Sequence, residues 1–158
     1  MIRVGMGFDS HRFDPARPLV LCGVRVAPTG GLTGHSDADA ALHAVIDAAL
    51  GAAGLDDIGE QFPDDDPSLA GADSAGLLTR AMELVAEQGF RCVNCDVTIV
   101  AERPKLSAFK PAMRERLAGL LGVATDAVAV KAKSNERMGA IGRGEGIAAL
   151  ATILMESR

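Results

Sequence analysis

Gly34-His35-Ser36-Asp37-Ala38-Asp39-Ala40-Ala41-Leu42-His43 leads into Ala44-Val45-Ile46-Asp47 and runs on to Gly54. The pattern predicts a polar turn feeding a helix, with Ser36 at the N-cap and Asp39, three residues later, as its capping-box partner. Leu42, Val45, Ile46, Ala49 and Ala53 recur at helical spacing and make one apolar face. Asp39, His43 and Asp47 stand four apart, so they form a stripe along the border of that face. The chain has three histidines, and two of them, His35 and His43, lie in this segment. An imidazole at the edge of a packed face, flanked by carboxylates, calls for a role beyond packing.

The third histidine lies in Asp9-Ser10-His11, at the end of an alternating stretch. Residues 2–11 read as a strand with Ile2, Val4, Met6 and Phe8 on one face and Arg3, Gly5, Gly7, Asp9 and His11 on the other. Asp9 and His11 therefore point the same way. The two glycines before them leave that face open to a ligand or to another backbone. Beyond a loop over residues 12–18, a short hairpin is expected around Gly23, followed by the helix already described.

Residues 55–67 carry six acids and no base, which ordinarily marks a solvated loop. Ile58, Phe62 and Pro63 interrupt the run, so part of it should pack down. Asp73 can cap a helix over 74–88 that stops at Gly89. A strand is expected over 93–101. Cys92-x-x-Cys95 borders it, and positions three apart on a strand face opposite ways, which argues against shared chelation. A helix over 108–121, a strand over 128–133 and an apolar strand over 147–155 follow. The last is apolar on both faces, as in a strand central to a sheet or covered by another subunit. The order β-ββ-α-α-β-α-β-β predicts an α/β (α+β) sandwich with helices stacked on a mixed sheet.

The composition narrows the function. At 158 residues the chain reads as one domain, 1–158, able to bury roughly 70% of its unfolded surface. Tryptophan and tyrosine are absent, so no tyrosine is available for catalysis. The net charge of −5 and the scarcity of aromatics argue against a nucleic-acid partner. No apolar run approaches the roughly 20 residues that span a bilayer. The opening residues resemble neither a signal nor a transit peptide, and three cysteines fit a reducing cytoplasm.

Asp9, His11 and His43 can form a three-ligand site. Two imidazoles and a carboxylate suit zinc and leave a fourth position for water or substrate. The alternative is three unrelated polar residues. His35 and Ser36 precede a helix whose N–H groups and dipole favour an anion, unless Asp37 and Asp39 satisfy that helix end themselves. Lys105, Lys133, Ser134 and Arg143 stand at strand ends or in turns, where phosphate contacts are common. Gly142-x-Gly144-x-Gly146 lacks the dinucleotide-binding spacing. Together these residues point to metal-assisted chemistry on a phosphate compound.

Gly5-x-Gly7-Phe8-Asp9-x-His11-Arg12, Gly34-His35-Ser36-Asp37-Ala38-Asp39 with His43, Asp57-Ile58-Gly59 with Phe62-Pro63-Asp64, Glu102-Arg103-Pro104-Lys105 and Gly142-Arg143-Gly144-Glu145-Gly146-Ile147 resemble the 2-C-methyl-D-erythritol 2,4-cyclodiphosphate synthase family. These blocks run in order over essentially the whole chain. The resemblance implies a homotrimer with active sites between subunits. It also implies zinc on Asp9, His11 and His43, and magnesium or manganese on Glu136 at the diphosphate. Substrate contacts map to Asp9 and His11, to His35 and Ser36, and to Asp57, Ile58 and Gly59. Phe62, Pro63, Asp64, Asp65 and Asp66 extend that set. The cytidine pocket maps to Ala101, Glu102, Arg103, Pro104, Lys105, Leu106 and Ser107, together with Lys133, Ser134, Asn135 and Glu136. Ala140 and Arg143 map near the phosphates and the trimer axis, and Ala140 stands where an aromatic is common. His35 and Ser134 match the positions assigned to transition-state stabilisation, Ser134 replacing the more common threonine. The implied reaction is a phosphorus–oxygen lyase step that closes a cyclic diphosphate and expels CMP. A zinc phosphodiesterase and a non-catalytic metal-binding oligomer are the competing readings of the same residues.

Overall fold

A computed structural model describes residues 1–34, 36–63, 65–67 and 73–158. Among these, the chain runs β1 (Ile2–Asp14), β2 (Leu19–Leu21), β3 (Val24–Ala27), β4 (Gly31–Leu32) and α1 (Ala40–Ala53). It continues through α2 (Ile58–Gln61), α3 (Ser74–Glu87), β5 (Phe90–Val100), α4 (Lys110–Leu121), β6 (Val128–Lys133), α5 (Gly139–Gly142) and β7 (Gly146–Ser157). Five strands form a mixed sheet in the order β4-β1-β7-β5-β6, in which only β5 and β6 are parallel. β2 and β3 make the expected separate hairpin. β7 is the central strand, consistent with its apolar sequence. β1 is longer than expected, because residues 12–14 continue the ladder against β7 and β4.

The helices cover one face. β1 turns Gly5 and Gly7 toward α1, and the helix backbone occupies the space that side chains would need. A Cβ at Gly5 would lie 1.8 Å from the Ala48 carbonyl oxygen, and one at Gly7 would lie 1.9 Å from that of Ala44. The open face left by the glycines is thus filled by another backbone. This approach draws α1 into the core, where every residue from Ala40 to Ala53 is buried except His43, Asp47 and Gly51. The single apolar face expected for α1 is therefore an almost complete apolar surface, broken by one stripe at 43, 47 and 51. On the other side of the sheet, Ile2, Val4, Met6 and Phe8 are 56–72% exposed, and Leu150 of β7 joins them.

The start of α1 departs from the expected cap. Ser36 and Ala38 both have positive φ, 57° and 52°, so the chain cannot be helical before Asp39. Asp39 is itself the N-cap, its Oδ1 accepting from the Leu42 N–H at 3.0 Å. It also accepts from Cys22 N–H at 3.0 Å and Gly23 N–H at 2.6 Å, tying the β2–β3 turn to the helix. Burial outweighs these bonds and pushes the Asp39 carboxyl up to about 6.

The cysteine expectation is also corrected. A bulge at Val93, where Cys92 pairs with Met155 and Asn94 with Leu154, turns both Cys92 and Cys95 to the buried face. Burial pushes their thiols up to about 11 and about 12, so they pack as small apolar groups. The helix over 74–88 is α3, capped by Asp73 as expected. Residues 58–61, within the run read as a loop, form the single turn α2, and residues 139–142 form another, α5.

Candidate active site

Strand alternation sends Asp9 and His11 to the same face as Gly5 and Gly7, so they emerge beside α1 near its first turn. His43 comes from α1 to meet them. Asp9 Oδ2 lies 2.8 Å from His11 Nε2 and 3.1 Å from His43 Nδ1, and the two ring nitrogens are 3.3 Å apart. Among the described residues, this is the one cluster of histidine, cysteine and carboxylate side chains whose donor atoms converge in this way. At bonds of about 2.0–2.1 Å, two ligands of a tetrahedral zinc stand about 3.3–3.4 Å apart. The triangle needs only a slight opening to hold such an ion, and its donor chemistry suits zinc. Burial tends to raise the Asp9 carboxyl. Hydrogen bonding with His11 and His43, and their charge, outweigh this and hold it well below the usual carboxylate range. The Asp9 partner in turn raises His11, against burial and with a further hydrogen bond to the Thr33 backbone.

The triad opens into a cleft of about 250 Å³, lined also by Gly34, Ser36, Asp47, Ile58, Gly59, Phe62 and Leu77. Asp47 accepts from the Ile58 N–H at 2.8 Å and so fixes α2 at the rim, while burial raises its carboxyl. Asp57 caps α2, accepting from Glu60 N–H at 3.1 Å. Phe62 is buried, Ile58 is half-buried and Pro63 is exposed, so the acidic run packs down as expected except at Pro63. Asp65 is exposed and Asp66 half-buried, neither on the cleft wall, whereas His35 and Asp64 lie outside the described residues. Asp39 caps α1 and Asp37 accepts from Asp39 N–H at 3.4 Å, so the chain's own acids occupy part of this helix end. Ser36 reaches the cleft through its own position on the wall.

Two contributors were not singled out from the sequence. The Arg17 guanidinium donates to the carbonyl oxygens of Gly34 and Ser36, holding the segment that carries the cleft wall. Ser74 Oγ lies 2.9 Å from His43 Nε2 and donates to Asp37. Asp73-Ser74 shows only a helix cap in the sequence. Its partner Asp37 is 37 residues away, and no local spacing signals the pairing.

A second group of expected residues gathers elsewhere. Ala101 N–H donates to the Lys133 carbonyl at 2.8 Å, joining the ends of β5 and β6. Glu102 Oε1 accepts from the N–H groups of Asn135 at 2.7 Å and Arg137 at 3.2 Å. Ser134 Oγ donates to Glu136 Oε1 at 2.9 Å. Leu106 is buried beneath, Lys105 and Ser107 are exposed, and Arg103 stacks on Phe13 with 5.4 Å to the ring centre. Arg103 and Pro104 line a separate cavity of about 480 Å³ with Phe13, Pro15, Leu19 and Ala27. None of residues 101–107 or 133–136 lines the triad cleft. Ala140 is exposed on α5, and Arg143 is exposed and paired with Glu145 at 2.5 Å. The two groups of expected residues thus stand apart within one chain.

Comparison with known proteins places the chain in a family. A curated relative from Symbiobacterium thermophilum, named 2-C-methyl-D-erythritol 2,4-cyclodiphosphate synthase, is 57% identical over 98% of this chain and 99% of its own. The bifunctional IspDF of Campylobacter jejuni superposes with a TM-score of 0.95 at 44% identity, covering all of this chain and 43% of that one. The IspF–CDP complex of Plasmodium falciparum gives 0.85 at 31% identity, covering 99% of this chain and 97% of that one. The YgbB family model matches residues 2–156, and the chain belongs to that family.

Proposed function

We propose that the chain cyclises 4-diphosphocytidyl-2-C-methyl-D-erythritol 2-phosphate to 2-C-methyl-D-erythritol 2,4-cyclodiphosphate with release of CMP. It would act as a phosphorus–oxygen lyase of the non-mevalonate isoprenoid route, in the cytoplasm. Among the described residues, no helix is long and apolar enough to cross a membrane. The observation that carries the reading is the convergence of Asp9, His11 and His43 on one cleft, in a chain whose close relatives bear that enzyme's name.

In this reaction an oxygen of the 2-phosphate forms a bond to the β-phosphorus. The bond from that phosphorus to the oxygen bridging to CMP breaks, and CMP leaves with the bonding pair. The nucleophile is already ionised at neutral pH, so the protein needs no general base. Its work is to fold the substrate back on itself and offset crowded negative charge. Asp9, His11 and His43 would hold zinc and Glu136 magnesium or manganese, and bound divalent ions supply Lewis-acid neutralisation of the phosphate oxygens. Ser36, Asp57, Ile58, Gly59 and the 62–66 segment would seat the methylerythritol and its phosphates. Residues 101–107 and 133–136 would take the cytidine, with Lys105 countering charge and His35 and Ser134 bonding the reacting phosphates.

Because the two half-sites of one chain stand apart, a complete site calls for a second copy. The bare apolar face of Ile2, Val4, Met6 and Phe8 supplies a surface to cover, which supports a homotrimer of single 1–158 domains with sites between subunits. Phosphorus NMR of the substrate with the protein and magnesium tests the reading. The expected result is a cyclic diphosphate signal growing in step with CMP. CMP without that signal contradicts it.

A further inference from the structure

We infer that Ser74 and Asp37 are positioning residues that fix which nitrogen of His43 faces Asp9 and His11. The inference rests on the metal reading above and concerns how this chain prepares one ligand.

Ser74 opens α3 and is fully buried. Its backbone N–H points to both Asp37 carboxylate oxygens, at 3.3 and 3.4 Å, and its hydroxyl donates to Asp37 Oδ1. A carboxylate only accepts, so the single hydroxyl proton of Ser74 is committed to Asp37. Toward His43 Nε2, at 2.9 Å, Ser74 Oγ can then only accept. Nε2 must therefore carry hydrogen. Nδ1 faces Asp9 Oδ2 at 3.1 Å and His11 Nε2 at 3.3 Å, so the Asp9 carboxylate draws a hydrogen onto Nδ1 while Ser74 holds one on Nε2, and a neutral ring that takes up a metal keeps Nε2–H and offers the Nδ1 lone pair. The opposite tautomer would place an N–H where a metal needs a lone pair. A histidine ligand is ordinarily held by an acceptor on its far nitrogen, and here the acceptor is a hydroxyl whose direction is set by an acid one step further out. Neither Ser74 nor Asp37 lines the cleft or belongs to the converging donor set; Ser74 reaches the site through His43, and Asp37 also accepts from Asp39 N–H and the Ser36 hydroxyl, so the Nε2 readout separates its effect on His43 from those contacts.

The test uses the full chain, stripped and reloaded with zinc, in competition with a chromophoric chelator. It compares wild type with Ser74→Ala, Ser74→Thr and Asp37→Asn. Ser74→Ala removes the acceptor and should weaken zinc binding roughly 10–100-fold. Asp37→Asn is nearly isosteric, but its amide can donate to Ser74 and free the hydroxyl to donate to His43, so it should weaken binding as well. Ser74→Thr keeps the hydroxyl and should stay within about threefold of wild type. Nitrogen-15 histidine spectra of the metal-free proteins give a second readout. His43 Nε2 should carry hydrogen in wild type and lose it in part, toward the Nδ1–H form that Asp9 favours, in Ser74→Ala and Asp37→Asn. Should Ser74→Ala fail to fold, the half-buried Asp37 still carries the test. Zinc affinity and tautomer unchanged in both variants overturn the relay while leaving the metal reading intact. A wild-type chain that takes up no zinc overturns both.

Discussion

Replacing Gly7 with alanine should separate the two elements that build the triad. The Cβ would sit 1.9 Å from the Ala44 carbonyl oxygen and 2.8 Å from the Ala48 nitrogen, and both obstacles are backbone. Ordinary contact begins near 3.4 Å, so α1 and β1 must part by about 1.5 Å. β1 is held through Gly7 by its long ladder to the central strand β7, which leaves α1 to move. His43 adjoins Ala44 on that helix, so its Nδ1 would leave the 3.1 Å approach to Asp9. Metal sites tolerate changes of about 0.2 Å in ligand distance, far less than this displacement. Overpacking ordinarily destabilises by about 1–3 kcal/mol, and a rigid backbone obstacle belongs at the upper end. Urea unfolding and zinc titration of Gly7→Ala should therefore show a loss of about 3 kcal/mol and at least a tenfold weaker zinc site. Gly51→Ala is the control. It lies on the same helix with nothing within 4 Å of the added carbon, and should stabilise by up to about 1 kcal/mol. Wild-type stability and zinc affinity in Gly7→Ala would refute the close-approach reasoning.

Asp39 gives a pH signature. Its folded value of about 6 lies above the ordinary 3.8, so the fold holds this proton more tightly than the unfolded chain does. Its contribution to stability is full below about pH 4 and is lost as pH rises toward 6, about 3 kcal/mol in all. Wild type should thus lose stability relative to Asp39→Asn over that range in urea melts, and parallel curves would contradict it. Zinc must displace a proton from His11, whose value is raised by Asp9, so zinc affinity should begin to fall at a pH above the ordinary 6.5. A titration flat down to pH 6 would count against His11 as a ligand. Val4→Glu with Met6→Glu places charges on the bare face of β1, and light scattering should report a trimer mass for wild type and a monomer mass for the variant. An unchanged mass would remove that face from the interface.

Much of this was legible because strand alternation and helical spacing act locally. The side of β1 that carries Asp9 and His11, the stripe holding His43 and Asp47, and the Asp73 cap all follow from such periods. What stayed hidden depends on distant partners or on backbone exceptions. Ser36 and Ala38 adopt positive φ without being glycine, which moves the cap from Ser36 to Asp39. The Val93 bulge reverses one side of β5 and brings Cys92 and Cys95 to a single face, and no residue type marks it. α1 is buried nearly all round because Gly5 and Gly7 admit its backbone, a consequence invisible from the helix alone. The Ser74–Asp37 pair joins the start of α3 to the turn before α1, and no period links positions so far apart.

The central claim is that this cleft closes a ring from within the substrate rather than delivering water to phosphorus. Turnover in oxygen-18 water, followed by mass spectrometry of CMP and the cyclic diphosphate, tests that most directly. The proposed cyclisation forms its new bond from an oxygen already in the substrate, so neither product should gain mass. An oxygen-18 atom in CMP, or in a linear methylerythritol bisphosphate formed in place of the cyclic product, would make the enzyme a hydrolase and contradict the account.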